Sequence, residues 1–209
     1  MAMTSPRVFT WLLDIEPLWP YDFSAGEPFK STGLWAQGLE AQHALALLSP
    51  KEQAKVLAFY RYNDAKLCLG SCLLKRRAIS DTCDIPWADV IISADANHKP
   101  CYVPESPDGK ALEFNVSHHG SLVTLVGCSD QQVKLGVDVM RLDWEKDYPK
   151  VREHGFSAWA HTYEMVFSDS EVNEIANYSP SSTLNEQDQI REKLRNFYAH
   201  WCMKEAYGG

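Results

Sequence analysis

Residues 114–140 read FNVSHHG, SLVTLVGCS, DQQ and VKLGVDVM. Three runs rich in β-branched and aromatic residues, separated by two short polar turns, predict a meander of three strands. Asn115, Ser117, His118 and Asp138 stand in or beside these runs. A polar side chain placed there must find a partner or cost about 1–3 kcal/mol. In the third run Val133, Leu135, Val137 and Val139 alternate with Lys134, Gly136, Asp138 and Met140, so a strand would point the two sets to opposite faces. Asp138 then shares a face with Gly136, which leaves space beside the carboxylate. That space suits either a metal ion with a phosphate ligand or plain water on a polar strand face. Ser117, His118, His119 and Gly120 close the first run in a turn whose hydroxyl, imidazole and backbone N–H groups suit a phosphate. No G-x-S-x-G elbow is present. Two adjacent histidines without a C-x-x-C partner are poor evidence for zinc.

Working upstream, Asn97–Pro100 predicts a turn before a short strand at Cys101–Val103, with another strand at Asp89–Ser93 and a turn-rich loop at 104–109. Before them lies a helical region. Ser49, Pro50 and Glu52 fit N-cap, first-turn proline and N3 of a capping box. Helix is expected from there to about Ile79, with a break near Asn63. This stretch holds Lys51, Lys55, Arg61, Lys66, Lys75, Arg76 and Arg77 against Glu52 and Asp64. Such a patch is either an anion site or a solvated helix face. Leu34–Leu48 predicts one helix, Gly26–Thr32 a loop and Arg7–Ile15 a strand.

Downstream, SDSE at 168–171 is a second capping box, predicting a helix over Asp169–Ala176. Ser179–Thr183 reads as a linker. A long helix is expected from about Glu186 to Tyr207, with Ile190, Leu194, Phe197, Tyr198 and Trp201 on one stripe. Glu205 falls nearly in line with Leu194, Tyr198 and Trp201. A carboxylate there either meets a cation or ends the helix in water.

The whole chain has 209 residues and a net charge of −8, which argues against a general nucleic-acid coat. Its apolar runs are too short to span a bilayer, and no signal peptide is expected. Six scattered cysteines without C-x-x-C point to a reduced, cytoplasmic protein rather than a disulfide framework.

FNVSHHG, GVDVM and WCMKEA, in that order after SPKE, FY, DAK and HKP, resemble the 4′-phosphopantetheinyl transferases. The similarity is to the branch that activates fatty-acid, polyketide and nonribosomal-peptide synthases and, for lysine biosynthesis, aminoadipate reductase. It covers roughly residues 49–207. It implies an α/β (α+β) protein with the pseudo-twofold, two-lobed fold of that family. The lobes expected are 1–136, with the coenzyme A-binding elements, and 137–209, incomplete, with a metal site at the lobe interface. The implied activity is of the holo-[acyl-carrier-protein] synthase type. The phosphopantetheine arm of coenzyme A passes to a serine of an acyl or peptidyl carrier protein. Matched residue by residue, Asp138 and Glu205 are implied Mg²⁺ ligands, and Glu205 is also the base or its orienter. Lys204 and His118 act at the reacting phosphates. Lys55, Lys99, Pro100, Asn115, Ser117, His118 and Lys204 contact coenzyme A. A monomer without nucleic-acid or membrane partners is expected.

Two departures stand out. Met140 occupies a position where many bacterial members carry a glutamate that ligates the metal. The family also continues past K-E-A with a further lysine and more of the second lobe. Two alternatives share the same residues. One is a Mg²⁺-dependent hydrolase of coenzyme A or another nucleotide pyrophosphate. The other is a binding module for coenzyme A that transfers nothing.

Overall fold

A computed structural model describes residues 8–21, 31–96, 98–106, 109–130 and 132–208. Arg7, residues 26–30, Asn97 and residues 107–108, which fall in stretches discussed above, lie outside it. The described chain mixes helices with small antiparallel sheets, an α+β arrangement. It divides into two compact units, Met1–Val139 and Met140–Gly209. Among the described residues no helix is long and apolar enough to cross a membrane, and all six cysteines are free thiols.

In the first unit, strands β1 (Val8–Asp14), β4 (Glu113–His119) and β5 (Leu122–Cys128) form an antiparallel sheet in the order β1-β5-β4. The central strand is buried at all but its first residue, which is why LVTLVGC shows no polar alternation. Gly127 gives room to Phe9 of β1, its partner in the register, whose ring occupies the space a Cβ would take.

The expected third strand of the meander is not formed. β1 and β4 already fill both edges of β5, and residues 134–139 form no ladder. Side chains hold this segment instead. The Asn115 amide donates to the Leu135 carbonyl at 3.3 Å, and the Ser117 hydroxyl donates to Asp138 Oδ1 at 2.6 Å.

The helices pack on this sheet. After α1 (Thr32–Trp35) and α2 (Leu39–Leu45) comes α3 (Pro50–Leu57), with its capping box formed in full, and then α4 (Tyr62–Cys83). The single helix expected over 34–48 is broken at Gly38. There the chain folds back on the Trp35 carbonyl, and Trp35 is fully buried with its indole N–H donating to the Trp19 carbonyl at 3.0 Å. α4 is buried nearly all round. A Cβ on its Gly70 would lie 3.0 Å from Ile15 and 3.4 Å from Val123, so the glycine sets how closely α4 meets the sheet. The strand expected at Asp89–Ser93 is replaced by a 3₁₀ turn (Trp87–Asp89) and a two-residue strand β2 (Ser93–Ala94) paired with β3 (Pro100–Cys101). Arg76 and the Leu47 carbonyl hold Trp87 in the turn. Ile91, 63% exposed, has no sheet to join.

The second unit contains α5 (Trp144–His154), α6 (Phe156–His161), α7 (Asp169–Ala176) and α8 (Glu186–Gly208). The Ser168–Glu171 capping box starts α7, and the Asn185 side chain caps α8. Ile190, Leu194 and Phe197 of α8 are buried against Trp159, Phe167 and Ile175, and Phe197 sits edge-on to Trp159. Asp147, 1% exposed, accepts the Tyr198 hydroxyl at 2.6 Å.

Candidate active site

The basic stretch resolves into separate roles. Arg77 is exposed and paired with Asp81 at 2.6 Å. Lys66 is buried and donates to the Glu16 carbonyl. Lys51, Lys55, Lys75 and Arg76 line one cavity of about 590 Å³, together with Ser49, Glu52 and the apolar Val90, Ile91 and Ile92. Pro100 also faces it. Four cations against one carboxylate leave this lining with three positive charges, in a protein whose net charge is −8. Its volume is that of a pocket for a nucleotide-sized ligand.

The capping box builds the cavity wall. Glu52 accepts from the Ser49 N–H at 3.0 Å, closing the box, and pairs with Arg76 at 2.8 Å. Burial pushes the Glu52 carboxyl up, but the Arg76 and Ser49 hydrogen bonds outweigh it and hold it below the usual range. Glu52 is therefore charged and satisfied, and it fixes Arg76 between α3 and the Trp87 turn.

At the sheet edge, Ser117 and Asp138 are bonded to each other and Asn115 reaches Leu135. Asp138 is half-buried and forms no ion pair among the described residues. His118 is exposed. Partial burial, and then the nearby charges of Lys75 and Lys55, hold its imidazole below the usual histidine value against the pull of Asp64. It is thus neutral at pH 7, a hydrogen-bonding group beside the cations. Lys99 and Pro100 lie on the β2–β3 hairpin. Asp95 accepts the Lys99 N–H, and His98 takes a left-handed conformation (φ 63°). Lys99, Pro100 and Asn115 line a second cavity of about 310 Å³.

In the second unit, Lys204 and Glu205 occupy the last turns of α8. Glu205 is exposed, so the apolar stripe ends at the half-buried Trp201 instead of extending through the carboxylate. Lys204 donates to Glu171 at 2.7 Å. One of its three N–H donors is thereby engaged, and two are left among the described residues. The Lys204 bond, followed by those from Ser168, holds the Glu171 carboxyl at about 2 instead of 4.5. A depressed carboxyl contributes stability above its unfolded value and loses it as pH falls from about 4.5 toward 2. In Lys204→Met the Glu171 carboxyl, followed by carbon-13 NMR, should titrate higher, moving toward 4.5. An unmoved midpoint would mean that Ser168 alone sets it.

A 4′-phosphopantetheinyl transferase 1 of Fusarium mangiferae is 37% identical over 212 residues, covering 99% of this chain and 68% of its own. The chain belongs to the 4′-phosphopantetheinyl transferases. A second fungal relative, from Aureobasidium melanogenum, is 35% identical over 94% of this chain and 68% of its own. This chain therefore spans about two thirds of the length of both. The L-aminoadipate-semialdehyde dehydrogenase-phosphopantetheinyl transferase of Xenopus laevis is 29% identical over 77% of the chain and 48% of its own. The family model for the N-terminal part of 4′-phosphopantetheinyl transferases matches residues 35–130.

For a transferase of this family the first unit gathers many of the expected residues. Lys55 and Pro100 face the larger cavity, while Lys99 and Asn115 face the smaller, which Pro100 joins. Ser117 is bonded to Asp138, and His118 feels the charge of Lys55. The motifs did not single out Lys75 or the Arg76–Glu52 pair. Helical spacing gives the signal in retrospect: Cys72, Lys75 and Arg76 share a face of α4, and all three line the cavity. Asp138 in the first unit and Glu205 in the second are each hard oxygen donors with no cation partner among the described residues. No group of three or more His, Cys, Asp or Glu is placed to hold a metal among those residues. Mg²⁺ bound to phosphates needs only one or two carboxylates.

Proposed function

We propose that this chain transfers the 4′-phosphopantetheine arm of coenzyme A to a serine of an acyl or peptidyl carrier protein and releases 3′,5′-ADP. The observation that carries the reading is the cavity of about 590 Å³ with its three net positive charges, in a chain of this family. Coenzyme A presents a 3′-phosphate and a pyrophosphate, and such a lining attracts polyanions. The pseudo-twofold, two-lobed fold is part of the same proposal, with the nucleotide held by the first unit. Carrier domains, among them that of an aminoadipate reductase, are the proposed partners. The name of the Xenopus relative supports this choice. The free thiols suit a reducing, cytoplasmic setting.

In this mechanism the carrier serine attacks the β-phosphate. An O–P bond forms to the serine, and the bond to the 3′,5′-ADP oxygen breaks. The serine proton passes to Glu205, which is exposed and forms no ion pair among the described residues. The two remaining donors of Lys204 and the neutral His118 stabilise charge on the phosphoryl oxygens. Ser117 orients Asp138. Asp138 and Glu205 would hold Mg²⁺, which supplies Lewis-acid neutralisation of the pyrophosphate. The nucleophile comes from the partner, so the site requires no activated serine or cysteine of its own.

Nucleotide analysis tests the reading. 3′,5′-ADP should appear only when coenzyme A and an apo carrier protein are both present. Release without carrier would mark a hydrolase, and binding without release a non-catalytic module. Lys55 offers a finer check. It is exposed at the cavity rim. A charge-assisted contact to the 3′-phosphate is worth roughly 1.5–3 kcal/mol, toward the low end for an exposed group. Lys55→Ala should raise KM for coenzyme A by about tenfold, with little change for dephospho-coenzyme A. Equal loss on both donors would assign Lys55 to a different phosphate or to helix structure.

A further inference from the structure

Lys75 is an unusual cation among the described residues. It is 6% exposed, lines the larger cavity, and has no hydrogen bond or ion pair among the described residues. The neighbouring carboxylate does not satisfy it, because Glu52 is committed to Arg76 and Ser49. Its other close neighbours are Cys72 and Cys68, one turn apart on α4, and the like charge of Lys55. Burial, and repulsion from Lys55, hold its ammonium below the usual lysine range. A buried, unpaired ammonium beside a second cation is costly in the empty protein. An anion entering the cavity removes that cost, and a doubly charged one removes most of it.

We propose that Lys75 is a specificity-determining residue of this site: the buried cation on the cavity floor that, with Lys55 at the rim, selects donors carrying a 3′-phosphomonoester. This rests on the coenzyme A reading above. A phosphomonoester is close to a dianion at pH 7, whereas each phosphate of the pyrophosphate diester carries one charge. The paired cations match the former. The buried Val90 in the apolar part of the lining strengthens the interaction by excluding water. Lys75 is therefore expected to contribute more to discrimination than the exposed Lys55.

The test uses the full chain and Lys75→Met, which keeps the length and apolar stem of the side chain. Affinities for coenzyme A and for dephospho-coenzyme A, which lacks only the 3′-phosphate, are measured by calorimetry, and the ligand-free proteins are melted. The parent should bind coenzyme A the more tightly. In the variant that affinity should fall tenfold or more, with dephospho-coenzyme A changing less than twofold. The ligand-free variant should melt at or above the parent temperature, because removing an unpaired buried charge lifts a cost that a purely structural lysine would not carry. A variant that keeps the parent's preference for coenzyme A overturns the assignment of Lys75 and leaves the coenzyme A reading standing. Equal loss for both donors, or a lower melting temperature, overturns the assignment too. A parent that binds neither donor overturns the coenzyme A reading itself.

Discussion

Asp138→Ala should lower transfer to between about one-hundredth and one-thousandth of the parent rate, the scale on which losing one electrostatic group at a reacting centre is felt. The fold should survive. Asp138 lies outside any ladder, is half-buried and makes one tertiary hydrogen bond, to Ser117. Losing that bond costs about 1 kcal/mol. Asp138→Asn separates the two roles. It can still accept from Ser117, so its melting temperature should match the parent, but it brings no charge to a metal. The rate should therefore fall in both variants while stability falls only in the alanine one. The experiment is a Mg²⁺ titration of the steady-state rate beside a thermal melt. Normal Mg²⁺-dependent turnover in Asp138→Asn would show that the carboxylate serves only to position Ser117.

Glu205→Gln should reduce kcat by about 10²–10⁴-fold, the usual cost of losing a general base, and by more if the same carboxylate also holds the metal. Coenzyme A should still bind, since the cavity proposed for its nucleotide belongs to the first unit. Glu205 is exposed and without a cation partner among the described residues, so the substitution should change stability by no more than about 0.5 kcal/mol. Single-turnover kinetics at saturating coenzyme A isolate the chemical step. A rate within a few-fold of the parent would make Glu205 a solvated helix-end residue.

Sequence alone reveals the parts of this fold whose physics is local. Both capping boxes, at Ser49–Glu52 and Ser168–Glu171, form as their residue spacing requires. The apolar stripe of α8 is buried at Ile190, Leu194 and Phe197. The third strand failed because alternation at 133–140 describes faces, not partners. Both edges of β5 were taken by β1, more than a hundred residues upstream, and by β4. The helix over 34–48 failed because burial of Trp35 and the turn at Gly38 outweigh a continuous apolar pattern. At the candidate site, motif order pointed to Lys55, Ser117, His118 and Asp138. It could not distinguish Arg76, neutralised by Glu52, from Lys75 beside it, which is not. That distinction depends on tertiary pairing across 24 residues.

The most direct test of the central claim is intact-mass spectrometry of an apo carrier protein incubated with this chain, coenzyme A and Mg²⁺. The account predicts that the carrier gains the mass of one phosphopantetheine arm, located by fragmentation on its serine, and that Asp138→Ala and Glu205→Gln fail to produce it in the same time. A carrier of unchanged mass, in a reaction where the chain demonstrably binds coenzyme A, would contradict it.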